Sequence, residues 1–148
     1  QLQPWHENIG KRQIKAPKIY LRDSGLLHGL LGLPDWHSLM GYPRLGAFWE
    51  GFVLEQALRI VAPTEAYFWA THGGAEIDLF FIHHGRRYGV EVKFSEAPKI
   101  GRSQHTAVNN LSLDRLWVVY PGQQMYPVDE KITVWPLKEL AGLPDQMG

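Results

Sequence analysis

Apolar and polar positions change period several times along this chain, and each change marks an element. The steadiest pattern is helical. Over 46–61, Phe48, Phe52 and Ala57 recur with Val53, Leu54, Leu58 and Val61 at three- and four-residue spacing, and Pro63 ends the run. Tyr67-Phe68-Trp69-Ala70-Thr71 then reads as a strand and His72-Gly73-Gly74 as a turn. Segments 75–82 and 87–94 read as two more strands, separated by His83-His84-Gly85-Arg86. A helix is expected near Gly101–Asn110. Leu116-Trp117-Val118-Val119-Tyr120 is almost wholly apolar, the mark of a strand inside a sheet with both faces covered. Ile132-Thr133-Val134-Trp135 is a further strand, with a short helix after it from Pro136 to Ala141.

Upstream the pattern is weaker. Lys18-Ile19-Tyr20-Leu21 suggests a short strand, and Asp23 or Ser24 a cap for a helix through Gly25–Gly32. Residues 33–45, with Pro34, Gly41 and Pro43, are expected to be loop. Gln1 to Pro17 carries Lys11, Arg12 and Lys15 with little hydrophobic period. Residues 1–16 therefore read as a linker or the remnant of a preceding domain, and 17–148 as one α/β domain. Lys11, Arg12, Lys15 and Lys18 could track a nucleic-acid backbone, although a solvated linker accounts for them as well.

Composition narrows the picture. A chain of 148 residues, 45% hydrophobic and 20% charged, suits a single core and excludes wholesale disorder. Formal net charge is zero, which weighs against a free-standing non-specific nucleic-acid binder but permits a local basic cleft. There is no cysteine, so disulfides, thiolate zinc sites and cysteine nucleophiles are excluded together. No apolar run approaches the ~20 residues needed to cross a bilayer, and no signal-peptide pattern is present. A cytoplasmic protein without membrane contact is expected. The chain begins at Gln1 rather than methionine and reads as a piece of a longer protein.

The candidate chemistry comes from the tight turn. With His84-Gly85 at its centre, antiparallel partners put Asp78 opposite Glu91 and Glu76 opposite Lys93, with Ile77–Val92 and Leu79–Val90 on the other side. One face of this hairpin is then greasy, and the other gathers three carboxylates and an ammonium. Opposed carboxylates about 5 Å apart repel by ~3 kcal/mol at an effective dielectric near 20. A proton, Lys93 or a divalent cation would relieve that repulsion. Carboxylate oxygens plus water suit Mg²⁺ or Mn²⁺, and a cation-bound water is a better nucleophile. Lys93 points at the same space and could orient that water or stabilise charge in a transition state. Such a set suits phosphodiester hydrolysis.

Ile77-Asp78 followed by Glu91-Val92-Lys93, with a glutamate-bearing helix before them, resembles the PD-(D/E)xK (restriction endonuclease-like) nuclease superfamily. The resemblance implies an αβββαβ core over residues 64–136 and the helix before them, with a mixed sheet flanked by helices. It also implies that Asp78, Glu91 and the Val92 carbonyl hold Mg²⁺ or Mn²⁺, that Lys93 serves the attacking water, and that Glu50 joins the site. Gln104 matches a polar position on the following helix. Ile77 stands where the eponymous proline would be.

A second resemblance covers nearly the whole chain. Lys15-Ala16-Pro17-Lys18-Ile19-Tyr20 with Asp23-Ser24-Gly25-Leu26-Leu27, Gly46-Ala47-Phe48-Trp49-Glu50-Gly51-Phe52-Val53, Gly74-Ala75-Glu76-Ile77-Asp78 and Val90-Glu91-Val92-Lys93 occur in the order of an uncharacterised domain. That domain is similar to the C-terminal part of many prokaryotic AAA-type ATPases. It implies an N-terminal ATPase in the same polypeptide, and no GxxxxGK[ST] phosphate loop occurs in these residues. Nucleic acid is the partner the nuclease resemblance implies. Two other readings stand beside it: a non-catalytic module of the same fold that binds nucleic acid or protein and regulates the ATPase, and an assembly domain whose charged cluster is a salt-bridge network.

His72, His83 and His84 lie in turns and read as polar turn residues. Glu55 is expected to pair with Arg59 at i+4. Tyr67, Trp69, Trp117 and Trp135 lie on expected strands and read as core.

Overall fold

The computed structural model describes residues 1–7 and 13–148. Among them run β1 (Gln3–Pro4), α1 (Ser24–Leu30), α2 (Trp36–Met40), α3 (Leu45–Val61), β2 (Ala66–Ala70), β3 (Glu76–His83), β4 (Arg86–Val92), α4 (Arg102–Leu111), β5 (Arg115–Tyr120), β6 (Tyr126–Pro127) and β7 (Ile132–Pro136), followed by two short 3₁₀ turns at Leu137–Gly142 and Pro144–Gln146. The strands form one mixed sheet in the order β1-β2-β3-β4-β5-β7-β6. β2, β3 and β4 are an antiparallel meander; β4, β5 and β7 run parallel. The α4 connection between β4 and β5 is what lets those two neighbours run parallel.

Helices cover both faces. Val53, Leu54, Ala57 and Val61 of α3 pack on Phe68, Leu79, Phe81, Val90, Val92, Trp117 and Val119. On the opposite face Ala107, Val108 and Leu111 of α4 pack on Ile77, Phe80, Leu116, Val118, Ile132 and Val134. The apolar run of β5 is explained by this: it is interior to the sheet, with neighbours on both edges and helices on both sides. Trp69, Trp117 and Trp135 are core, as expected, while Tyr67 is half-buried with its hydroxyl donating to Glu65. Helix α3 stops where Ala62 turns left-handed (φ 45°) ahead of Pro63, which disfavours helix in the residue before it.

Three elements escape a reading by period. Residues 33–45, expected to be loop, contain α2, held by the Asp35 side chain accepting the Ser38 N–H at 2.7 Å. Strand β6 is only two residues long. Strand β1 lies within the stretch expected to be linker, yet pairs parallel with β2, and its neighbour Leu2 is buried. Lys18 forms a single bridge to Leu2 rather than starting a strand through Leu21. Lys11 and Arg12 lie outside the described residues.

No helix among the described residues is long and apolar enough to cross a membrane.

Candidate functional site

The turn between β3 and β4 forms as the sequence requires. His84 (φ 49°) and Gly85 (φ 77°) both adopt positive φ, and pairs run from His83–Arg86 to Leu79–Val90. This type of turn matches the right-handed twist of the flanking strands. Past Leu79 the geometry departs from a plain hairpin. On its other edge β3 pairs Ile77 with Trp69 but Phe80 with Tyr67, so Asp78 and Leu79 together stand opposite Phe68. This is a β-bulge, which re-aims side chains. Ile77 joins the α4-side core and Leu79 the α3-side core, so the expected division into one greasy and one polar face does not hold.

The bulge delivers Asp78 to the α3 side, where it is 5% exposed. Its Oδ2 accepts the Val92 N–H at 2.9 Å, so a carboxylate rather than a backbone carbonyl meets the end of β4. Its Oδ1 lies 3.1 Å from Lys18 Nζ. The same ammonium reaches Glu50 of α3 at 3.3 Å and also pairs with Glu76. Glu76, expected opposite Lys93, thus finds its partner in Lys18. The Tyr20 hydroxyl donates to Glu50 at 2.5 Å.

Glu91 lies between Val90 and Val92, both packed on the α3 side, and turns toward α4. It is 4% exposed. Its Oε1 pairs with Lys93 Nζ at 2.6 Å and accepts from Gln104 Nε2 at 3.4 Å, while Oε2 is buried without a hydrogen-bond partner. Gln104 also accepts the Gly101 N–H at 3.0 Å, which fixes its side chain at the start of α4.

The electrostatics tie the two sides together. Burial, then the charges of Glu91 and Glu50, hold the Asp78 carboxyl well above the usual carboxylate range, against the pull of Lys18. Burial likewise raises Glu91, with Lys93 opposing. Burial works against the charge on Lys93, but the Glu91 carboxylate more than restores it, and the ammonium is held above its ordinary value. Lys18 is raised in the same manner: burial is the largest influence and lowers it, while Asp78, Glu76 and Glu50 outweigh it. Asp78, Glu91, Lys93 and Glu50, the residues singled out from sequence, therefore share one electrostatic neighbourhood, and Val92 enters it through its N–H. Four carboxylates there face two ammonium groups.

Lys18, Tyr20 and the Glu76 contact were missed. Their one signal was the Lys18-Ile19-Tyr20 alternation, which puts two long polar side chains on one side of an extended segment. Among the described residues, no three acidic or histidine groups stand ready as a metal cage; Lys18 occupies the point where three of the carboxylates meet. His72 and His84 are exposed and His83 is half-buried; the latter two stack at 4.1 Å between ring centres in the turn, at the far end of β3 from Asp78. Glu55 pairs with Arg59 at 3.1 Å, as expected.

Residues 45–140, more than half of the chain, match the family described as Domain of unknown function (DUF4143). The chain belongs to this family. Residues 1–37 match a second, also described as a domain of unknown function (DUF8612). Lys18 and Tyr20 fall in the second match; Glu50, Asp78, Glu91 and Lys93 fall in the DUF4143 match. Curated relatives include Uncharacterized protein Rv2008c of Mycobacterium tuberculosis (strain ATCC 25618 / H37Rv) and Uncharacterized protein Mb2031c of Mycobacterium bovis (strain ATCC BAA-935 / AF2122/97). Each is 48% identical over 140 residues, which is 95% of this chain and 32% of the relative. The DUF4143 chain thus spans about a third of the length of these relatives.

Proposed function

We propose that this domain has a PD-(D/E)xK-type core and is a metal-dependent phosphodiesterase acting on nucleic acid, working as the nuclease module of a larger AAA-type ATPase. The observation that carries the reading is Glu91: a buried carboxylate with Oε2 unpartnered, beside Lys93 and within the field of Asp78. The order α3, β2, β3, β4, α4, β5 supports the core assignment. The relatives' greater length supports a further domain in the parent protein.

The donor set fits a divalent cation. Asp78 and Glu91 offer hard oxygen ligands: Glu91 Oε2 has no hydrogen-bond partner, Asp78 Oδ1 would exchange its Lys18 contact for the cation, and the Val92 carbonyl would be a third oxygen. Mg²⁺ or Mn²⁺ held there would neutralise charge on a phosphoryl oxygen and make a bound water more acidic. Lys93 orients the attacking water through its ammonium, which Glu91 positions at 2.6 Å. Gln104 fixes Glu91 from α4, and Glu50 reaches the cluster from α3. Beside the cluster, Trp36, Met40, Phe48, Trp49, Phe52 and Phe94 line an apolar groove. Trp49 adjoins Glu50 in sequence and Phe94 adjoins Lys93, so a base splayed from a single strand finds aromatic faces next to the carboxylates.

A second reading, a non-catalytic module of the same fold that regulates the ATPase, is favoured by Lys18, whose ammonium fills the space among Glu50, Glu76 and Asp78. One experiment separates them. The protein and its Lys93→Ala variant are incubated with plasmid, single-stranded and junction substrates, with Mn²⁺ or with chelator. Mn²⁺-dependent cleavage that Lys93→Ala abolishes is expected. Cleavage indifferent to the substitution rejects the catalytic assignment, and no cleavage of any substrate supports the regulatory module.

A further inference from the structure

The segment that carries Lys18 and Tyr20 has two sides. Lys18 reaches Asp78 at 3.1 Å and Glu50 at 3.3 Å, and the Tyr20 hydroxyl donates to Glu50 at 2.5 Å. Ile19 and Leu21 alternate with these two residues and lie on the outside, Ile19 being 78% exposed. The bare apolar surface continues into the helices that follow. Leu26 and Leu30, one turn apart on α1, are exposed together with the adjoining Leu31. Trp36, the first residue of α2, is 72% exposed, and neither helix buries a residue. Helices of seven and five residues are too short to persist on their own. Each is fastened by a capping aspartate, and α1 also by His28 against Phe48, 5.4 Å between ring centres.

All six of these apolar residues fall within 1–37, the stretch that matches the second family, and Leu2 is the one buried residue among those described there. A stretch of that length cannot enclose a core of its own. Six large side chains left bare to this extent present several hundred Å² of apolar surface, the scale at which the ~600–1,500 Å² interfaces between domains of one chain begin. The longer relatives indicate what covers it. The chain matches 32% of each, so about two thirds of either polypeptide lies outside the match. We propose that Ile19, Leu21, Leu26, Leu30, Leu31 and Trp36 are the docking surface for an apolar face of that remaining polypeptide, and that docking there holds Lys18 and Tyr20 against the carboxylates. The proposal rests on the reading of this chain as one module of a longer protein, and adds where the modules meet and how the joint reaches the site. Two other occupants fit less well. Residues 19–36 contain one arginine against two aspartates and no lysine, which offers a nucleic-acid backbone little to hold. A second copy must be collected from solution, whereas a tethered module is present at an effective concentration in the millimolar range.

Amide hydrogen exchange tests it, in chelator and without nucleic acid. The full-length Mycobacterium tuberculosis relative is compared with this chain alone, as protection factors that remove the effect of sequence. The stretch of the relative aligned with residues 19–36 is expected to be at least about tenfold more protected than the same stretch here, with the β3–β4 hairpin alike in both. The amides of Leu2 and Lys18, which bond each other's carbonyls at 2.8 and 3.0 Å, should gain protection with it. Equal protection over 19–36 overturns the proposal, and a gain confined to 22–36 that leaves positions 2 and 18 unchanged overturns the coupling to the site. Protection that disappears when the relative is diluted to a monomer assigns the surface to a second copy and overturns the proposal. Protection of 19–36 in this chain on adding a single-stranded oligonucleotide assigns it to nucleic acid, with the same consequence. A protected surface in a relative that cleaves no substrate sinks the nuclease reading alone; cleavage without that protection sinks this proposal alone.

Discussion

Replacing Glu91 by glutamine isolates what the buried charge costs. The amide keeps the shape of the side chain, and its oxygen can still accept from Lys93 and Gln104, the two donors that now meet Oε1. The new NH₂ falls where Oε2 has no partner, which costs ~1–3 kcal/mol as an unsatisfied buried donor. That cost does not depend on pH. The charge does. Burial raises the Glu91 carboxyl above its ordinary value of 4.5, so the folded chain holds this proton more tightly than the unfolded chain. The resulting stabilisation is complete below pH 4.5 and is lost as pH rises through the folded value. The slope reaches at most ~1.4 kcal/mol per pH unit for one proton. Glutamine has no such titration, and by removing the Glu91 charge it also lowers the repulsion on Asp78. Relative to the natural chain, Glu91→Gln should therefore gain stability between pH 5 and pH 7.5, by no more than ~1.4 kcal/mol for each pH unit over which the folded chain gives up the Glu91 proton. Urea unfolding in chelator reads this directly. With ~1–3 kcal/mol per molar for the urea dependence, each kcal/mol gained moves the two midpoints apart by ~0.3–1 M. Curves that keep a constant separation at both pH values, or a variant that loses ground at pH 7.5, would refute the argument.

Two other substitutions test the parts that frame the site. Gln104→Leu removes both the Gly101 N–H acceptor and the donor to Glu91, and should cost ~1–2 kcal/mol in urea unfolding, with the loss of stability on raising pH from 4.5 reaching to higher pH than in the natural chain; unaltered pH dependence would show that Gln104 does not support Glu91. Gly85→Ala meets open space but must hold φ 77°, so thermal unfolding should report a loss of about 1 kcal/mol from backbone strain alone; no loss would mean that the turn relaxes and that β3 and β4 do not depend on it for register.

Much of the fold was legible because its elements are long enough to show a period. The α3 pattern placed its buried residues Val53, Leu54, Ala57 and Val61 and its end before Pro63, and the unbroken apolar run of β5 placed that strand inside the sheet. The turn at His84-Gly85 fixed the β3–β4 register from Leu79–Val90 outward. Strands of two residues have no period, so β1 and β6 were invisible, and α2 depends on one capping aspartate. The bulge was hidden for a different reason. A strand pattern assumes strict alternation, and nothing local in Glu76-Ile77-Asp78-Leu79 says that two residues will share the space opposite Phe68. The consequence is large, because one residue of slip moves every side chain beyond it to the other face.

That slip is also why the site differs from the one the hairpin alone implies. With strict alternation, Asp78, Glu91 and Lys93 would emerge on a single face and Lys93 would answer all the carboxylates by itself. With the bulge, Asp78 and Glu76 come to α3 and Lys18, while Glu91 goes to Lys93 and Gln104. Each buried acid then has its own ammonium, and the strain that remains is between the two pairs, through the Glu91 charge on Asp78. Lys18 lies 58 residues from Glu76 and 60 from Asp78 in sequence. No local pattern connects positions so distant, and only the sheet, by laying the Leu2–Lys18 bridge beside β2, brings them together. A cluster divided this way sets the repulsion among its acids against one ammonium on each side of the sheet, so the charge balance of the site depends on the N-terminal segment that carries Lys18 as much as on the hairpin that carries the acids.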